Sequence, residues 1–225
     1  MSNPVIVAID GPSGTGKSST SRAVATRLGL SYLDTGAQYR AITWWMLSNG
    51  VDVTDAAAVA DQTGKPAIVA STDPAAPGIT VDGVDASGPI RSQEVTAAVS
   101  AVSAVPEVRA RMVEIQRAAA AAAPAGIVVE GRDIGTTVLP DATVKVFLTA
   151  SAEARAARRS GELGGTQSVA DTQAALIRRD AADSGRKTSP LAKADDAIEV
   201  DTTELTLEQV VDRVVELVAQ RRAAR

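Results

Sequence analysis

The octapeptide Gly11-Pro12-Ser13-Gly14-Thr15-Gly16-Lys17-Ser18 lies between an apolar run, Val5, Ile6, Val7, Ala8 and Ile9, and a stretch from Ser19 onward whose apolar positions recur at helical spacing. It fills the pattern G-x-x-x-x-G-K-[ST] in the order strand, loop, helix, the context that gives the pattern physical meaning. Glycines there bend the backbone so that successive N–H groups point inward and, with the helix N-terminus, cradle a polyphosphate. The segment from Gly11 to Ser19 is therefore the expected cradle for a nucleoside triphosphate. Lys17 is placed to reach the outer phosphates and Ser18 to ligate magnesium.

The same alternation continues along the chain. After the loop helix, which ends near Gly29, come a short apolar segment over 30–33, Asp34-Thr35-Gly36, and a predicted helix over 37–48 closed by Asn49-Gly50. From Val51 to Ser92 glycine and proline recur and separate short apolar runs, which reads as a small antiparallel sheet with Asp82-Gly83 as a hairpin turn. Helical spacing returns over 94–105 and from Pro106 to about Ala123, and Pro124-Ala125-Gly126 breaks it. The run Ile127-Val128-Val129 fits a buried parallel strand and ends in Glu130-Gly131-Arg132-Asp133. Further strands are predicted at 144–148 and 197–200, helices at 152–160 and 169–182, and a terminal helix from Leu205 capped by Thr202 or Thr203. Strands alternating with helices predict an α/β fold, a parallel sheet wrapped on both sides with ligands at the carboxyl ends of its strands.

Composition decides which chemistry such a sheet can carry. Among 225 residues there is no Cys and no His. A thiol nucleophile, a zinc thiolate site and a histidine base are all excluded, leaving carboxylates, hydroxyls, Lys, Arg and a hard, oxygen-seeking metal such as magnesium. The formal charge of −4 speaks against a general nucleic-acid binder. Yet Arg155, Arg158, Arg159, Arg178, Arg179, Arg186 and Lys187 gather in one part of the chain, which suggests a small polyanionic ligand. The start of the chain has no basic and apolar leader pattern and no stretch approaches a membrane span, so the expectation is a cytoplasmic protein that engages neither membrane nor nucleic acid and, with no obvious coiled coil or unusually apolar face, a monomer.

A carboxylate closing the strand beside a P-loop strand is the usual magnesium organiser. Glu130 occupies such a place, with Asp34 as its competitor; either could instead be a helix cap or a loop ion pair. The chain carries no Asn-Lys-x-Asp motif for reading guanine, which moves weight from a GTPase to a kinase.

Together the P-loop, Leu33-Asp34-Thr35-Gly36-Ala37-Gln38-Tyr39-Arg40, Ile90-Arg91-Ser92-Gln93-Glu94-Val95, Gly131-Arg132-Asp133-Ile134-Gly135-Thr136 and Arg178-Arg179-Asp180 through Arg186 resemble the bacterial cytidylate kinases. The resemblance covers nearly the whole chain, in order. It implies a P-loop nucleoside monophosphate kinase fold, with a core over 1–50 and 124–225, a short lid around 155–165, and a nucleotide-binding insert with flanking helices over 51–123. It also implies phosphorylation of CMP or dCMP by ATP with Mg2+. Carried over residue by residue, Thr35, Arg109, Arg132 and Asp133 face cytosine, Ser100, Arg179 and Asp183 face the sugar, and Arg40 and Arg186 bind the acceptor phosphate. Tyr39, beside Thr35 and Arg40, joins the acceptor candidates. Arg158 or Arg159 reaches in from the lid, so that Lys17, Arg132, Arg158, Arg159 and Arg186 are the groups expected to act on the phosphoryl in transit. Thr35 stands where some members have Ser, and Glu130 where some have Asp.

The residue types make sense independently of the resemblance. Cytosine offers an exocyclic amine to a carboxylate such as Asp133, and its N3 and O2 to an arginine. Uracil would set an oxygen against that carboxylate, which implies discrimination of at least roughly tenfold. A phosphate monoester with a second pKa of about 6 is already a nucleophile at neutral pH and requires no general base. Water must be excluded, so the segment from Arg155 to Gly165 is expected to close over the phosphates. Two alternatives stand beside this reading: a related P-loop kinase with another small acceptor, and a nucleotide-dependent switch without phosphoryl transfer. Trp44, Trp45 and Phe147 are expected to pack in or against the core.

Overall fold

The structure, a computed structural model, describes residues 4–162, 164 and 168–223. In chain order the elements are β1 (Val5–Asp10), α1 (Lys17–Leu28), β2 (Ser31–Asp34), α2 (Thr35–Ser48), α3 (Ala56–Gln62), β3 (Ile68–Ala70), β4 (Ile79–Val81) and β5 (Val84–Asp85). They continue with α4 (Gln93–Ala104), α5 (Pro106–Ala121), β6 (Gly126–Gly131), β7 (Val144–Thr149), α6 (Ala152–Glu162), α7 (Val169–Ser184), β8 (Ile198–Asp201) and α8 (Leu207–Ala223).

β1 is the middle of a parallel sheet ordered β2-β6-β1-β7-β8. Its side chains alternate between the two faces, and both faces are apolar. Val5, Val7 and Ile9 pack with Val24 of α1 and with Val210, Val214 and Leu217 of α8, whereas Ala8 points the other way, into a cluster with Leu33, Ile127, Val129 and Ala120 of α5. Burial on both sides is why this segment reads as an unbroken apolar run rather than an alternating one. The connections out of β1 and β6 leave in different directions, so a crevice opens where their carboxyl ends meet, the place at which such sheets bind ligands.

The three-stranded antiparallel sheet β3-β4-β5 lies in the glycine- and proline-rich region, and Asp82 and Gly83 turn it with φ of 52° and 80°, the left-handed pair that a tight hairpin requires. Its buried side chains, Ile68, Ile79 and Val81, share a cluster with Ile42 and Met46 of α2, Val99 and Val102 of α4, and Val108 and Met112 of α5. Trp44 and Trp45 lean on this cluster, and Trp45 Nε1 donates to Asp82 Oδ2 at 2.8 Å.

Some boundaries differ from the sequence expectation. α3 occupies a stretch expected to hold only sheet; its seven residues bury Val59 alone and leave too little periodicity to detect. The terminal helix begins at Leu207, and Thr206 with Gln209 makes its reciprocal cap, Gln209 N donating to Thr206 Oγ1 and Thr206 N to Gln209 Oε1. Thr202 and Thr203 do other work: Thr203 Oγ1 accepts from Ser151 N, and Thr202 Oγ1 donates toward the carbonyls of Thr149 and Thr15.

Candidate functional site

The loop between β1 and α1 is shaped by close approach. A Cβ on Gly11 would lie 2.2 Å from the Leu148 carbonyl oxygen, so only glycine lets the chain leave β1 there. Gly16, at φ 84°, caps α1 without a side chain, and the first turn of α1 carries no acidic residue. The amides at this helix start are thus left for a ligand, and they favour an anionic one. Lys17 Nζ, on a buried side chain, donates to the Pro12 carbonyl at 2.6 Å, and burial together with the Arg132 charge lowers its pKa well below the usual lysine range.

Glu130 ends β6 beside this loop and is buried. Its Oε2 accepts from Ser18 Oγ at 3.0 Å, and Oε1 from the Tyr32 hydroxyl. Burial, reinforced by the charge of Asp34, raises the Glu130 carboxyl to about 7. Asp34 is the neighbour of Glu130 across the β2–β6 pair, and its Oδ1 accepts from Ala37 N at 2.9 Å as the N-cap of α2. The two carboxylates weighed as magnesium organisers therefore stand side by side, one touching Ser18 and the other capping a helix.

A second cleft of about 450 Å³, its mouth included, opens between the end of β6, α2, α4 and α7. It is lined by Thr35, Tyr39, Ser100, Arg109, Arg132, Asp133, Arg179, Asp183 and Arg186, nine of the ten residues expected to face an acceptor. Arg40, the tenth, bonds the Ile90 carbonyl and Thr96 Oγ1 from α2. At the floor Arg109 Nη2 pairs with Asp133 Oδ2 at 2.5 Å, both side chains being buried, and the Arg109 guanidinium stacks 5.2 Å from the Tyr39 ring centre. Thr35 Oγ1 donates to the Glu130 carbonyl at 2.7 Å. Along the opposite wall Arg132 Nε pairs with Asp183 Oδ2 at 3.1 Å, and Arg186 stands 3.6 Å from Asp183 Oδ1.

This cleft gathers more positive charge than it neutralises. Burial, then the charges of Arg132 and Arg40, lowers Arg179 to about 9, and burial followed by Arg159 lowers Arg40 to about 10. Both remain cationic at neutral pH. Nε of Arg179 and both Nε and Nη2 of Arg186 are buried without a hydrogen-bond partner among the described residues. Buried, unpaired guanidinium donors are expensive unless an anion meets them, and a phosphate has the matching geometry.

Arg132 joins the two halves of the site, since its Nη2 donates to Ser13 Oγ of the phosphate loop at 2.7 Å. Asp180 adds a second tie, accepting from Ser13 N at 3.0 Å while pairing with Arg155, whose Nη1 also donates to the Ser13 carbonyl at 3.1 Å. Neither lid candidate is among the residues that line the acceptor cleft. Arg158 bonds Thr202 through its Oγ1 and carbonyl, and Arg159 pairs with Glu162 of its own helix. Residues 163 and 165 of the expected lid lie outside the described residues.

Sequence reasoning missed Asp10, Tyr32, Asp180 and Thr202 as parts of the site. Asp10 carried the signal used for Glu130, a carboxylate closing an apolar strand. Tyr32 had no local signature, Asp180 stood in the Arg178-Arg179-Asp180 segment and Thr202 was a cap candidate, and the partners of all three lie far along the chain.

A family model described as "Cytidylate kinase" matches residues 7–220. A cytidylate kinase of Streptomyces avermitilis is 72% identical over 221 residues, covering 98% of this chain and 95% of its own. One of Streptomyces coelicolor is 75% identical at the same coverage, and one of Corynebacterium glutamicum is 54% identical over 95% of this chain and 94% of its own. Among solved structures, an uncharacterized protein from Eubacterium ventriosum superimposes with a TM-score of 0.54 at 10% identity, covering 97% of this chain and 99% of its own, a likeness of fold alone.

Proposed function

The chain belongs to the cytidylate kinase family, and from that premise we propose that it transfers the γ-phosphoryl group of ATP to CMP or dCMP, giving ADP and CDP or dCDP. The observation that carries the reading is the juxtaposition of a phosphate-binding loop with a cleft whose floor is the Arg109–Asp133 pair, the two bridged by Arg132 on Ser13. In this reading the Asp133 carboxylate accepts from the cytosine amine, and Arg109 and Arg132 hold and complement it at the base end. Uracil sets its O4 against the same carboxylate and is rejected. Ser100, Arg179 and Asp183 serve the sugar, and Arg40 and Arg186 the acceptor phosphate.

The acceptor phosphate is its own nucleophile, so the protein's task is alignment and charge neutralisation. Arg132 is the hinge of that task because it touches both the phosphate loop and Asp183 of the acceptor wall. Lys17 leaves its contact with Pro12 to meet the outer phosphates of the donor. Ser18 Oγ and the Glu130 carboxylate offer hard oxygens 3.0 Å apart beside the loop, and no group of three acidic side chains among the described residues could hold a metal unaided. That donor set fits magnesium, which takes one or two carboxylates and completes its shell with water and substrate phosphates. Ser18 and Glu130, with Asp34 behind them, would hold it, and it would supply charge neutralisation between the donor phosphates.

The test is ADP release from magnesium-ATP with CMP, dCMP, UMP and AMP in parallel. CMP and dCMP are expected to stimulate release, with UMP weaker by roughly tenfold or more. Preference for another acceptor would keep the kinase and discard the cytosine reading. No stimulation by any would leave a nucleotide-binding switch.

A further inference from the structure

Asp10 is the last residue of β1 and 5% exposed, with no part in the chemistry above. Its two oxygens are both committed, Oδ1 accepting from Ile134 N and Oδ2 from Gly135 N, each at 2.8 Å. These amides belong to the two residues that follow Asp133. The backbone there is unusual: Asp133 caps a one-turn π-helix over Ile134–Val138, with Val138 N donating to the Asp133 carbonyl and Leu139 N to that of Ile134. Such turns are wider than an α-helix and recur at functional sites because they re-aim a side chain at the expense of regular pairing. The first two amides of this one are held by the Asp10 carboxylate, and its far end by Arg117, which donates to the carbonyls of Thr137 and Val138. The glycine at 135 belongs to the same device, because a Cβ there would lie 3.4 Å from Asp10 Oδ2 and 3.1 Å from the Lys145 side chain.

The next residue along the chain from Asp10 is Gly11, the first of the phosphate loop. One side chain is therefore anchored where the donor loop begins and grips the backbone directly after Arg132 and Asp133. We propose that Asp10 is a positioning residue for acceptor recognition: by accepting the amides of Ile134 and Gly135 it fixes where Asp133 meets the acceptor base relative to the phosphate loop. This rests on the reading of Asp133 as the group that distinguishes cytosine from uracil. An anionic acceptor for two adjacent amides is stronger than a neutral one, and burial has raised the Asp10 carboxyl to about 6, which leaves it ionised at neutral pH.

The isosteric change Asp10→Asn keeps one acceptor and turns an amide donor toward the second N–H. The wild-type protein is assayed first, with CMP and with UMP, because absence of a CMP preference there defeats the Asp133 reading whatever Asp10 does. Given that preference, D10N is expected to raise KM for CMP and to lower the CMP to UMP ratio of kcat/KM, each by about tenfold, while KM for ATP moves by less than about threefold. Gly135→Ala, which sets a methyl group against Asp10 Oδ2 at contact distance and presses on the Lys145 side chain without removing a charge, is expected to shift the same two quantities in the same direction by a smaller factor. Unchanged CMP affinity and selectivity in the folded variants, with only a lower melting temperature or fewer active molecules, would reduce Asp10 to a part of the fold and overturn the proposal. Loss of folding in both variants would do the same, and if one fails to fold the other decides.

Discussion

At the scale of single residues the site is organised by carboxylates whose partners are fixed by burial. Asp133 and Arg109 neutralise each other at the floor of the acceptor cleft, while Asp10 satisfies two amides and carries its charge without a cationic partner in hydrogen-bond contact. That leaves a thermodynamic signature. The Asp10 pKa is raised from 3.8 to about 6, chiefly by burial, so between those values the folded state holds a proton that the unfolded chain has released. Its contribution to stability is complete below about 4 and is lost as the pH rises through 6, by at most about 3 kcal/mol. Chemical denaturation of the wild-type protein and of D10N at pH 5 and pH 8 checks this: the wild type should lose stability relative to D10N on going to the higher pH. Glu130 was legible because its carboxylate follows a run of three apolar residues beside a recognisable loop. Asp10 was not, because the same pattern directly before Gly11 is absorbed into the motif, and only the tertiary fold brings residues 134 and 135 against it.

At the scale of elements, α6 and α7 bear arginines with different duties. Arg158 is engaged by Thr202, which itself donates to Thr15 of the phosphate loop, so it braces the donor side from behind. Arg159 is 30% exposed and, among the described residues, is paired with Glu162, and such surface pairs contribute little. Of the two, Arg159 is the one free to swing toward a phosphate. Arg158→Ala is expected to raise KM for ATP by several-fold with a modest change in kcat, and Arg159→Ala to lower kcat by about tenfold or more with little effect on ATP binding. Steady-state kinetics in both substrates separates the two patterns. Most elements could be read from the sequence, because apolar runs and helical spacing are local: the hairpin at Asp82-Gly83, the break at Pro124 and the strand after it all stand where expected. That Arg158 rather than Arg159 is engaged by Thr202 was not readable, since it depends on where β8 and the residue after it fall.

At the scale of the molecule, the sheet order β2-β6-β1-β7-β8 puts residues more than 90 positions apart side by side, such as Ile9 beside Glu130 and Thr35 beneath it. The alternation of strands and helices predicts a parallel sheet but not this order, because register is settled by which faces bury together. The packing then divides into cores on either side of the sheet and one under the small antiparallel sheet. α5 belongs to two of them: Val108 and Met112 pack in the latter, and Val113, Ala119 and Ala120 against the face of β6. Arg109, next to Val108, ties the helix to Asp133. The expected outcome is a single calorimetric transition, with the van't Hoff and calorimetric enthalpies equal; two resolved transitions would mean that the cores melt separately.

That shared helix also bears on ancestry. A recognition module joined to its host by flexible ends can be exchanged like a cassette, and new specificities can then be borrowed whole. Here the helix that supplies Arg109 packs under the small antiparallel sheet on one side and against the face of β6 on the other, so a transplant must recut two interiors at once. New acceptor preferences in such a lineage are more accessible by replacing side chains in place than by importing the module.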